Sequence, residues 1–300
     1  RLDFQHAFPI GGDRDFLGPQ SDDGNGGHEG DHCGERTDGD RHRGDRLGAC
    51  TDCRRYWGMH RAGEIDEVEV DEVGGKLAPT AGTCMVMGTA STMACMTEVL
   101  GMMMPGGAAI PAVAADRLRH AEAAGVRAVA MVKVGPTPQE VMTPEAFANA
   151  FRVVLAVGGS TNGLGHMPAV AGRLGIQVDL EALDRMGRET PVLVDLKPSG
   201  QHYMEDLQKA GGLVTVLREL RPLLHLDCMT ITGRTLGEEI DAAPPPWDQD
   251  VVRSFKNPLY PQGGIAVLRG NLAPDGAIVK QSAASEHLMD HTGKAVVFED

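Results

Sequence analysis

From Thr51 onward the apolar residues recur at helical spacing over most of the chain. The run from Arg54 to Thr80 reads as two short helices separated near Ala62 and Gly63, the second rich in Glu and Asp. Thr89 to Met104 reads as an apolar helix stopped by Pro105, Gly106 and Gly107. Asp116 to Ala124 reads as a short helix leading into a buried strand, Val126–Val134. Thr143, Pro144 and Glu145 open another helix, with Thr as N-cap and Pro at the first helical position, which stops at Gly158 and Gly159. Ser160, Thr161 and Asn162 cap the next, whose Leu164, Met167, Val170 and Leu174 share one face. Asp179–Met186, Tyr203–Ala210 and Leu213–Leu220 are further helices, and Val192–Leu196 is a short strand. A stiff Pro-rich connector, Asp241–Trp247, then leads to strand segments at Gly264–Arg269, Ala277–Lys280 and Lys294–Phe298, punctuated by Gly and Pro-Asp-Gly turns. The pattern predicts a helix-rich α/β domain over residues 43–243 and the start of a β-rich domain over 244–300.

The N-terminal stretch follows another grammar. Between Gly11 and Cys50 the only Leu, Ile, Val or Met residues are Leu17 and Leu47. Such a segment cannot offset an ordering entropy of about 1–2 kcal/mol per residue by burial. Residues 1–42 therefore read either as a disordered acidic loop or as a degraded stretch of sequence, for instance one translated out of frame. With Arg1 in place of a Met and no leader pattern, the chain reads as an internal piece of a longer protein.

Composition narrows the function classes. The 300 residues carry a net charge of −14, which argues against a nucleic-acid partner, since phosphate contacts need a basic surface. A small anionic substrate is compatible, because it needs only a local cation, a divalent metal or a helix N-terminus. No apolar run reaches the roughly 18 residues of a membrane helix. Six cysteines at irregular spacing suit cytosolic thiols or metal ligands better than a disulfide framework, so a cytoplasmic location is expected.

Cys84 is the leading candidate for chemistry. Gly88, Thr89, Ser91 and Thr92 follow it closely, and small residues let main-chain N–H groups approach a ligand. The alternative is a small buried hydrophobe, the commonest fate of a lone cysteine. Cys95 reads as core. Cys50 and Cys53 form a C-x-x-C pair without the second pair that a zinc site needs, so they read as structural or incidental. Ser160, Thr161 and Asn162, with His166, offer either a helix N-terminus for an anion or simple capping. Lys197 and Ser199, in the loop Asp195–Gly200, occupy a strand end where α/β proteins place substrate contacts, or a turn without function. His202, Glu205 and Asp206 lie just beyond and read equally well as surface residues.

The stretch Gly82–Val113, GTCMVMGTASTMACMTEVLGMMMPGGAAIPAV, resembles the dihydroxy-acid and sugar-acid dehydratases. So do RGDRLGACTDCRRYW, AVGGSTNGLGHMPAVAGRLGI, DLKPSGQHYMEDLQKAGG and NPLYPQGGIAVLRGNLAPDGAIVK, in the family's order. The resemblance implies dehydration of a 2,3-dihydroxy acid to a 2-keto acid. It implies an iron–sulfur cluster, [2Fe–2S] or [4Fe–4S], as Lewis acid on the leaving hydroxyl, Mg²⁺ on the carboxylate, and a serine base. It also implies a swivelling β-barrel-like C-terminal domain and a homo-oligomer. By the same resemblance Cys84 is a cluster ligand and Asp13 a Mg²⁺ ligand, while Ser160, Thr161, Lys197 and Ser199 are the candidates for the substrate pocket from their own positions. The sequence departs from the family where Gly12 replaces a cluster cysteine and Arg14 a metal-binding lysine. The base serine and a metal glutamate are expected beyond Asp300. The GTAST turn is more similar to the sugar-acid enzymes than to the branched-chain enzyme, which leaves branched-chain dihydroxy-acid dehydratase and a catalytically inactive homologue as alternatives.

Overall fold

A computed structural model describes residues 41–297 apart from Pro79, Glu286, Leu288 and Ala295. Residues 1–40, and with them Asp13, Gly12 and Arg14, lie outside the described residues.

Among the described residues the chain runs β1 (Arg41–His42), β2 (Asp45–Arg46), α1 (Ala49–Arg61), α2 (Glu67–Lys76), α3 (Thr89–Val99) and α4 (Ala115–Val134). It continues with α5 (Pro138–Val141), α6 (Pro144–Ala156), α7 (Gly163–Arg173), α8 (Leu180–Glu189), α9 (Met204–Lys209), α10 (Leu213–Leu220) and α11 (Leu236–Ala242). The antiparallel strands β3 (Ala266–Leu268) and β4 (Ala277–Val279) follow, with Val267 opposite Ile278. This is the expected helix-rich part followed by the start of a β-rich part.

The core is built on α3 packed against α6. Thr143 caps α6 by accepting from Ala146 N, and Pro144 supplies a preset φ at its first position. Phe147, Phe151, Val153, Val154 and Leu155 of α6 then meet Met96, Val99 and Leu100, all buried. Asn149, buried in the same helix, satisfies both ends of its amide on the backbone of His225, at 2.9 and 2.8 Å. A smaller cluster of Leu47, Tyr56, Val70 and Val73 sits under α1 and α2.

Four expectations need correction. Val126–Val134 is no buried strand: α4 is helical through Val134, and Val126 and Val132 are 68% and 87% exposed. The valines at 126, 129 and 132 recur every three residues, a helical rather than an alternating period, and Gly125 weakens the helix without ending it. The helix α3 stops before Met104, because Gly101 takes φ 85° and any Cβ there would come within 2.8 Å of Met229 O. Val192–Leu196 is extended and buried but pairs only singly, with Tyr260, Val252 and His202, so it joins no ladder. No strand passes through residues 294, 296 and 297.

The approach of α6 to α3 ends at a turn with almost no room. A Cβ at Gly159 would lie 2.5 Å from Val154 Cγ2 and 3.0 Å from Thr92 Cγ2. Both neighbours are β-branched and stiff. Gly165 on α7, by contrast, has open space around it. Gly159→Ala is expected to lower the unfolding free energy by about 1–3 kcal/mol. Gly165→Ala is expected to raise it by about 0.4–1 kcal/mol. Urea denaturation of the two variants beside the unaltered chain checks both signs.

Candidate active site

The loop before α3 carries Cys84, half-buried, with Sγ 3.9 Å from Val86 O. Gly88 is the N-cap of α3 and provides no side-chain cap, and a Cβ there would lie 2.9 Å from Cys84 Sγ. The thiol thus rests against the uncapped N-terminus of a helix, where N–H groups and the helix dipole favour negative charge. Ser91 Oγ steadies the loop by donating to Val86 O at 3.3 Å.

The turn Ser160–Asn162 is drawn onto the same first turn of α3. Ser160 N donates to Thr92 Oγ1 at 2.9 Å, Ser160 Oγ lies 3.3 Å from Thr89 Oγ1, and Asn162 Nδ2 donates to Thr89 Oγ1 at 2.7 Å. Asn162 N also donates to Ser160 Oγ at 3.3 Å. Thr161 stands half-exposed between them. His166 is exposed on α7 and makes none of these contacts.

The loop Asp195–Gly200 closes on the opposite side. Met87 N donates to Lys197 O at 2.9 Å, and Met204 N donates to Met85 O at 2.8 Å, stitching the Cys84 loop to this one. Ser199 Oγ lies 3.3 Å from Ser282 Oγ. Ser282 in turn approaches Gly158 and Gly264. The structure therefore brings Cys84, Ser160 and the backbone of Lys197 into one hydrogen-bonded neighbourhood, with Ser199 tied to the segment after β4.

The ammonium of Lys197 points elsewhere. It donates to Tyr203 OH at 2.7 Å and lies 3.5 Å from the buried carboxylate of Asp52. Asp52 also accepts from Gly48 N at 2.7 Å. Tyr203 OH donates to Arg46 O at 3.0 Å, while the Arg46 guanidinium covers its ring at 4.2 Å and pairs with Asp206 at 2.7 Å. Burial pushes the Tyr203 phenol up, and the neighbouring lysine opposes it. Glu205 and Asp206, taken from sequence as free to be surface residues, hold Arg46, and His202 lies 3.8 Å from Asp250.

Sequence reasoning missed Asp52, Tyr203 and Ser282 at this place. Asp52 is read only as the interior of the C-x-x-C pair and Tyr203 as the start of a helix, and no local motif announces a serine after a two-strand hairpin.

A cluster of iron and sulfur is held by several thiolates, and Mg²⁺ by carboxylates and water. Cys95 is buried on α3, its thiol pushed well up by burial, and Cys228 lies 3.6 Å from Asn149 Nδ2. Cys53 belongs to α1, where no disulfide engages it. Among the described residues no three His, Cys, Asp or Glu side chains converge on a metal position. They include one thiol at this place, Cys84, and do not make up a whole cluster or Mg²⁺ site.

With this geometry in place, comparison with known proteins decides the family. The dihydroxy-acid/6-phosphogluconate dehydratase N-terminal model matches residues 32–239, and the corresponding C-terminal model matches residues 250–300. The chain belongs to the dihydroxy-acid/6-phosphogluconate dehydratase family. It is 46% identical over 244 residues to a dihydroxy-acid dehydratase of Acetivibrio thermocellus, covering 81% of this chain and 44% of that protein. It is 47% identical over 260 residues to an L-arabinonate dehydratase of Rhizobium leguminosarum bv. trifolii, covering 86% and 45%. The chain thus spans under half the length of these curated relatives. No helix among its described residues is long and apolar enough to cross a membrane.

Lys280, just before Ser282, is pushed down to about 8 by burial, from an ordinary value of 10.5. Between those two values the unfolded chain binds the proton that the folded chain does not, so stability rises with pH across that window. Chemical denaturation between pH 8 and pH 10 is expected to show this rise in the unaltered chain. In Lys280→Met the same rise is expected to be smaller.

Proposed function

We propose that the protein containing this chain is a hydro-lyase that converts a 2,3-dihydroxy acid, specifically a sugar acid, to a 2-keto acid. The observation that carries this reading is the convergence of Cys84 and the Ser160–Asn162 turn on the uncapped first turn of α3. Family membership supplies the reaction class. The chain's own residues argue for the substrate class.

A dihydroxy acid brings a carboxylate and hydroxyls. The N-terminus of α3 offers N–H donors to negative charge. Thr89, Ser160, Thr161, Asn162 and Ser199 offer hydroxyl and amide groups that both donate and accept. A wall of this kind suits a polyhydroxylated chain better than a branched alkyl group, because burying it against alkyl would leave polar groups unpaired. Lys197 acts as a positioning residue: its contacts to Tyr203 and Asp52 fix the loop that presents Ser199.

In this reading Cys84 contributes one thiolate to an iron–sulfur cluster whose other ligands, like a Mg²⁺ site, come from outside the described residues. When bound, such a cluster supplies Lewis acidity at a departing hydroxyl. The enzyme would work in the cytoplasm. A second reading, a catalytically inactive homologue, draws on the absence of a complete donor set among the described residues.

The test uses the whole protein, reconstituted anaerobically with iron and sulfide and supplied with Mg²⁺. Release of 2-keto acid from L-arabinonate is expected to exceed that from 2,3-dihydroxyisovalerate by at least roughly tenfold in kcat/KM, a difference of about 1.4 kcal/mol in transition-state binding. Cys84→Ser is expected to lose visible cluster absorption. Preference for the branched-chain acid overturns the substrate class, and a cluster-free, inactive protein establishes the second reading.

A further inference from the structure

The hydroxyl of Ser282 has no task in holding its own turn. Ser282 N donates to Gly264 O at 3.2 Å, Gln281 Nε2 donates to Gly263 O, and Ala283 N and Ala284 N close the 3₁₀ turn Gln281–Ala283. Gly263 N and Gly264 N reach in turn to Gly187 O and Leu155 O, at 2.7 and 3.2 Å, which fixes the turn on the ends of α8 and α6. The hydroxyl is nevertheless given a space of its own. A Cβ at Gly264 would lie 2.9 Å from Ser282 Oγ, and one at Gly158 would lie 3.7 Å from it. With no side chain at either position, Ser282 Oγ sits beside the glycines that lead into the Ser160–Asn162 turn. It also lies 3.3 Å from Ser199 Oγ of the loop Asp195–Gly200. Ser282 thus stands where two polar segments of the candidate site come together.

We propose that Ser282 is a specificity-determining residue: together with Ser199 it hydrogen-bonds a hydroxyl of the substrate chain beyond C3, the part in which a sugar acid differs from a branched-chain acid. This rests on the sugar-acid reading of the site. Two serine hydroxyls bring two donors and four lone pairs, and the one bond between them uses one of each. Among the described residues neither Oγ makes another hydrogen bond. The pair therefore keeps a donor and several acceptor positions, and both serines are only half-buried. A substrate hydroxyl, which donates and accepts, satisfies both kinds at once. An alkyl group would take water from the pair and return no hydrogen bond, and a polar site left unpaired in this way discriminates against the ligand that leaves it so.

The test compares L-arabinonate, which carries hydroxyls beyond C3, with 2,3-dihydroxypentanoate of the same configuration, which carries none, on the whole reconstituted protein. In Ser282→Ala the ratio of kcat/KM for the first acid to that for the second is expected to fall roughly tenfold. The ratio of the two dissociation constants, measured by titration calorimetry, is expected to move in the same direction, and it is read whether or not the protein turns over. Equal loss for both acids marks Ser282 as a stitch between two segments and overturns the inference. An unchanged ratio overturns it too, and in both cases the sugar-acid reading still stands. An unaltered protein with no preference for L-arabinonate over 2,3-dihydroxypentanoate overturns the inference and that reading together.

Discussion

The first turn of α3 is the constraint on which the rest of this chain's organisation depends. Its N-terminus is left uncapped by Gly88, so its N–H groups remain directed at whatever lies before the helix. Its hydroxyls, on Thr89 and Thr92, take hold of the Ser160–Asn162 turn. That turn can reach them only because Gly159 and Gly163 carry no side chain where Val154, Thr92 and Met96 crowd in. Small residues at 88, 159 and 163 therefore serve one purpose, close approach of three backbone segments around Cys84.

Around this centre the loops are fixed in sequence-distant pairs. The Cys84 loop is bonded to the backbone of Lys197 and to the start of α9, and α9 is held by Arg46 through Asp206. Asp52, Lys197 and Tyr203 form a buried polar group in which each member has a partner, so none is left as an unpaired buried charge. This network joins helix α1 to the loop Asp195–Gly200 and the start of α9. It gives Lys197 a structural role that its place in a strand-end loop did not announce.

Much of the fold was legible in the sequence because its signals are local. Thr143-Pro144 marks the start of α6 by capping and preset φ, and the Leu164–Met167 face of α7 follows from period alone. Cys84 stood out through its Gly- and Thr-rich neighbours, and those neighbours are what the structure packs around it. Three things were not legible. Val126–Val134 misled because valine favours strands, and only its three-residue spacing betrayed the helix. Ser282 joins the site through a contact between residues some eighty positions apart, which no local pattern encodes. Asp52 lies on α1 and Tyr203 caps α9, and neither shows its role until the polar contacts between them are seen.

The central claim is that Thr92 pins the Ser160 turn to α3 and thereby assembles the site. Hydrogen exchange at the Ser160 amide in Thr92→Val tests it most directly, since valine keeps the shape of threonine and removes the acceptor. Losing one buried bond costs about 1–3 kcal/mol, so exchange at Ser160 is expected to quicken at least roughly fivefold while amides in the middle of α6 stay protected. Unchanged exchange at Ser160 would contradict the account.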